Sequence, residues 1–228
     1  DLLDYQLFSQ YDLKQFIRQQ MLIKVNFKFI KMIALYSNNL IKHKDDPNFS
    51  DFDIFDDVFL LGVAQTIEDE EYDPNQYKYS LRAIHNIILL DESYLFQNDF
   101  DGFLVDHRIC FIICRHLDNM EFSIRKQALM LLSLIYRVMP LSHFVDDELL
   151  LQVLSFFVSS ADGCDEVALV DSLRFAAQNI YQYLASNPNK DMNLFNLFLQ
   201  LRDCLIESSN EIECYENVPI LEQLTFED

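Results

Sequence analysis

The chain has 228 residues, of which 50% are apolar and 14% aromatic, with Phe 20, Tyr 11 and no Trp. That composition fills a sizeable core and excludes disorder over most of the length, while three Gly and five Pro are too few for a turn-rich β-sandwich or a glycine-rich phosphate cradle. A formal net charge of -20 repels phosphate backbones and anionic lipid, so no direct nucleic-acid or membrane partner is expected.

Apolar residues recur at helical spacing almost throughout. From Asp12 to His43, Leu13, Phe16, Ile17, Met21, Ile23, Phe27, Ile30, Ile33, Leu35 and Leu40 predict one long helix or two abutting ones, with a break near Val25-Asn26. A loop follows at residues 44–50, then a helix over Asp53 to Ile67 that runs into the acids Glu68 to Glu71 and a turn at Asp73-Pro74-Asn75. Helices are predicted next at Tyr77 to Leu90, briefly at Tyr94 to Gln97, and at Phe103 to Leu117, Ser123 to Val138, Asp146 to Ser159, Glu166 to Ala185 and Met192 to Ser208. The tail from Ser209 to Asp228 reads as acidic and irregular, with Val218-Pro219-Ile220-Leu221 docking back. Residues 1–76 thus form N-terminal helices, 77–208 a repeat region and 209–228 a tail, all in one continuous domain.

The repeat region shows a period. The tract Ala83 to Ile87 recurs as Ala128 to Leu132 and as Ala176 to Ile180, each in a long amphipathic helix with an Arg upstream, namely Arg82, Arg125 and Arg174. The spacing suits helix-pair or helix-triplet repeats. The segment Ser80-Leu-Arg-Ala-Ile-His-Asn-Ile87, then Phe103 to Leu117, then Ser123 to Leu134, resembles consecutive armadillo-type or HEAT-type repeats. The resemblance implies an all-α fold, a right-handed α-solenoid of degenerate armadillo-like units. In that family the third helix of each repeat lines a groove and carries an Asn that grips an extended peptide; Asn86 and Asn179 match that position, and Leu131 departs from it. The resemblance extends to armadillo-like cores of large nuclear complexes such as chromatin remodellers, and to regulatory domains of actin-assembly factors that receive a GTPase or an autoinhibitory helix.

Chemistry-bearing clusters are few. His107, Cys110 and Cys114 share one helix stripe, with His116 pointing nearly opposite, a set that holds zinc only with a fourth ligand from elsewhere. Interleaved Ile109, Phe111, Ile112 and Ile113 favour a core helix instead, so no metal is expected. No nucleophile elbow, phosphate loop, dinucleotide fingerprint or zinc-protease motif occurs, and the carboxylates gather at predicted helix starts such as Asp146-Asp147-Glu148. Neither catalytic residues nor a cofactor are expected, the rival being a metal-dependent enzyme built on the His107 to His116 cluster. Five scattered cysteines, odd in number and mostly within helical patterns, read as reduced and hence intracellular. The opening Asp1-Leu-Leu-Asp4 reads as part of a longer protein.

Charge is uneven. Residues 1–44 carry Lys14, Arg18, Lys24, Lys28, Lys31, Lys42 and Lys44 against three acids, whereas residues 45–76 carry eleven acids and no Lys or Arg. Lys14, Arg18, Lys24, Lys28 and Lys31 form a ridge, either a solvated face neutralised by the neighbouring acids or a dock for an acidic partner. The expected function is a non-catalytic scaffold for protein–protein interaction, a subunit bridging other protein subunits of a large intracellular assembly, nuclear rather than cytoplasmic. Its candidate contacts are Lys24, Lys28, Lys31, Arg82, Asn86, Arg125, Arg174 and Asn179. The alternative is a regulatory domain binding a GTPase or an autoinhibitory helix.

Overall fold

The computed structural model describes residues 27–42, 74–90, 109–138, 146–187 and 189–226. Every element in them is an α-helix: α1 (Phe27–Lys42), α2 (Pro74–Leu90), α3 (Ile109–Arg115), α4 (Phe122–Val138), α5 (Asp147–Ala161), α6 (Val167–Ala185), α7 (Met192–Glu211) and α8 (Val218–Glu222). The all-α expectation holds. The helices expected at 53–67 and 94–97, and the stretch before Phe27, lie outside the described residues. None of the described helices is long and apolar enough to cross a membrane.

The chain divides into two compact units, one holding Asp1–Ile113 and Asn119–Gln127, the other Cys114–Asp118 and Ala128–Asp228. In the first unit, α1 buries Ile30, Ile33, Ala34, Tyr36 and Leu40, and α2 buries Tyr77, Leu81, Ala83, Ile84, Ile87 and Ile88. These positions recur every three or four residues, and burying both stripes against each other is what makes the two helices stable. The expected turn at Asp73-Pro74-Asn75 is corrected: α2 begins at Pro74 itself. Proline lacks an N–H, but the first helical residue has no use for one, and its fixed φ already suits the helix. Lys31 reaches Tyr79 and Ala34 reaches Asn86. Residue numbers rise together along both helices, so α1 and α2 run parallel.

In the second unit, Leu129, Leu131, Leu132, Leu134, Ile135 and Tyr136 of α4 are all buried, the pattern of a helix enclosed on most sides. Tyr136 meets Phe157 of α5 edge-on, ring centroids 6.0 Å apart. Asp146 caps α5 by accepting the Glu148 N–H at 2.8 Å, and Asp191 caps α7 by accepting the Asn193 N–H at 2.9 Å. Between α5 and α6 the chain turns through Gly163, whose φ of 62° lies in the left-handed region.

Polar bonds link each helix to the next but one. Ser133 of α4 and Ser172 of α6 meet at 2.6 Å, and the Asn179 amide donates to the Tyr136 carbonyl at 2.7 Å. Lys190, just before α7, pairs with Asp147 of α5 at 2.8 Å, and further along Ser208 of α7 donates to the Ala161 carbonyl at 2.6 Å. Asn217, next to α8, donates to Asp171 of α6 at 2.8 Å, while Tyr181 donates to the Thr225 carbonyl at 2.8 Å. In each pair the numbering again rises together, so α4 with α6, and α5 with α7, are parallel.

The tail is a second correction. Rather than ending at Ser208, α7 continues to Glu211, and residues 218–222 form α8 as a docked turn of helix. Leu221 and Leu224 are buried, and the Phe226 ring lies 4.8 to 5.6 Å from the rings of Phe195, Tyr181 and Phe198. The docking expected at Val218 to Leu221 is present; the helical turn there and the Phe226 contacts were not expected.

Candidate functional site

The candidate contacts separate into residues that hold the fold and residues that face outward. Asn86, 4% exposed, points its amide nitrogen at the Ala34 carbonyl (3.3 Å), the Ser37 hydroxyl (3.0 Å) and the Asn38 side-chain oxygen (2.9 Å). Its N–H groups are therefore spent on α1. Asn179 likewise donates to the Tyr136 carbonyl in the last turn of α4, one of the carbonyls a helix end leaves without an internal partner. Both matching Asn residues thus bond neighbouring helices.

Arg125 fastens a turn. Its Nη1 donates to the Asn119 carbonyl at 2.5 Å and the Met120 carbonyl at 3.1 Å, while Asn119 accepts the Glu121 N–H at 2.9 Å. Arg174 is 8% exposed, with its guanidinium carbon 3.8 Å from the Phe175 ring centroid and Nη1 donating to Gln178 at 3.3 Å. Arg137 of α4 approaches the same ring at 4.6 Å. Phe175 therefore receives two guanidinium groups, a cation–π arrangement that braces α6 against α4. The Nε of Arg174 is buried and has no hydrogen-bond partner among the described residues.

Lys28, Lys31 and Arg82 remain on the outward side of α1 and α2; Lys24 lies outside the described residues. Lys28 and Lys31 are exposed, and the Lys31 ammonium sits 5.5 Å from the Tyr79 ring centroid. Lys78 is half-buried on α2, four residues before Arg82, so both stand on one stripe with Tyr79 between them in sequence. The structure thus sets Lys31 of α1 against Tyr79 of α2, with Lys28 and Arg82 each about one turn away on its own helix. Lys78 and Tyr79 were missed because a ridge was sought along one helix; the Lys78 to Arg82 spacing was the signal available.

Burial dominates the remaining reactive groups. It pushes the His85 imidazole down to about 4, helped by the Arg82 charge and opposed by a hydrogen bond with Asn86. It pushes the Cys114 thiol up to about 12, which leaves sulfur protonated and unreactive near neutrality. Cys110 is buried too, while His107 lies outside the described residues. Among the described residues no group of three or more His, Cys, Asp or Glu side chains is placed to hold a metal ion. No protein-family model matches the chain, and no curated protein matches its sequence significantly.

Proposed function

We propose that this chain is a non-catalytic protein–protein interaction scaffold, a right-handed α-solenoid of degenerate armadillo-like repeats that bridges other subunits of a larger assembly. The observation that supports it most is the parallel stacking of alternate helices in the second unit. Bonds between α4 and α6, α5 and α7, and α6 and α8 join residues 39, 43, 44, 46 and 47 apart. Stacked helix pairs bring equivalent helices together once per repeat, and an interval of 39 to 47 residues suits that arrangement. The interval agrees with the recurring Ala83, Ala128 and Ala176 tracts.

Such a stack acts by shape, with affinity concentrated in a few anchors on its outer surface. The test is affinity capture of the intact protein at moderate salt, with crosslinks mapped by mass spectrometry. Stoichiometric co-purification of defined subunits crosslinked at Lys28, Lys31 or Lys126 is expected. Recovery of the protein alone would contradict a bridging role.

A further inference from the structure

We infer that the α1–α2 seam is a docking face for an acidic segment of a partner protein. The inference rests on the interaction-module reading for the kind of ligand, but its evidence is local. In a chain of net charge -20, α1 and α2 together hold Lys28, Lys31, Lys42, Lys78 and Arg82 and not one Asp or Glu. On these two helices no carboxylate alternates with the bases to neutralise them.

Geometry concentrates these charges. On α2 the half-buried Lys78, Tyr79 and Arg82 share one side, and on α1 Lys28, Lys31, Leu35 and Lys42 are exposed, with Asn38 half-buried. The Lys31 contact with Tyr79 and the 2.9 Å bond from Asn86 to Asn38 bring the two sides together. None of Lys28, Lys31, Lys78 or Arg82 forms an ion pair among the described residues. Leu35, 44% exposed, gives the seam an apolar footing one turn from Lys31.

An acidic protein segment fits better than nucleic acid. A polyphosphate chain extends beyond the seam and meets the repulsion of the whole molecule, whereas a short acidic segment samples the field within about 8 Å at physiological salt. Leu35 and Tyr79 also offer contact to the apolar side chains of an amphipathic acidic segment, which a phosphate backbone lacks.

The test is fluorescence anisotropy with the full chain and a fluorescein-labelled peptide rich in Glu and Leu, beside a duplex DNA probe and vesicles of anionic lipid. The expected result is saturable peptide binding that weakens with salt and falls by about tenfold or more in Lys28→Glu/Lys31→Glu. Both lysines are exposed, so this variant is expected to keep its melting temperature, and Lys78→Glu/Arg82→Glu serves as the second arm. Peptide binding that is absent or unchanged in both variants overturns the inference, as does preference for DNA or vesicles. If the captured protein still brings down stoichiometric subunits in that case, the scaffold reading stands and only this face is excluded.

Discussion

Asn86 shows how one side chain fixes a helix pair. Its amide nitrogen lies within 3.3 Å of three acceptors on α1, and the Asn86 side chain is itself buried. Asn86→Ala removes three bonds between α2 and α1 and is expected to destabilise by about 1 to 3 kcal/mol, read as a lowered melting temperature. The adjacent His85 carries a pH dependence. Its pKa falls from 6.5 in the unfolded chain to about 4 in the folded one, so at high pH both states are unprotonated and the residue is neutral in its effect. As pH drops below 6.5 the unfolded state takes up the proton first, and stability is lost at up to about 1.4 kcal/mol per pH unit until about pH 4. His85→Gln should flatten the melting profile across that window; an unchanged slope would show that other groups govern it. The helix that carries Asn86 was legible in the sequence, but its bonds to α1 were not, because they join residues 48 to 52 apart.

At the scale of the element, spacing located α4 to α7 closely, and Asp146, in a carboxylate cluster expected at a helix start, is the N-cap of α5. Spacing failed at Pro74, which signals a turn and a helix start equally well. The end of α7 contains a residue that gains from replacement. Glu213 adopts a φ of 60°, which costs a residue with a Cβ about 1 kcal/mol, while the neighbouring Cys214 N–H donates to the Ser209 carbonyl at 2.8 Å and closes the helix end. Glu213→Gly is therefore expected to raise stability by up to about 1 kcal/mol in thermal melts. A loss would mean that the Glu213 side chain holds the tail in place.

At the scale of the molecule, the charge of -20 outweighs any single ion pair. Like charges repel in the compact state, and the ion pairs at Lys190–Asp147 and Arg202–Asp203 are partly solvated and contribute little. Raising salt from low ionic strength to about 0.15 M should raise the melting temperature, because screening relieves repulsion faster than it weakens those pairs. A falling melting temperature would indicate that attractive pairs dominate. The parallel stacking of alternate helices was readable in the sequence only as a period of recurring Ala-containing tracts. Their direction needed coordinates, since spacing along the sequence does not say which helix faces meet.

That stacking underlies the proposed scaffold, and the α4–α6 contact tests it most directly. Ser133 and Ser172 bring their hydroxyls to 2.6 Å across 39 residues. Cysteines placed at both positions, in a background lacking the native five, should form a disulfide under mild oxidation, mapped as a 133–172 peptide pair and accompanied by a higher melting temperature. Failure of that bond to form in the folded protein, or its formation only after unfolding, would contradict the layered arrangement and the repeat scaffold built on it.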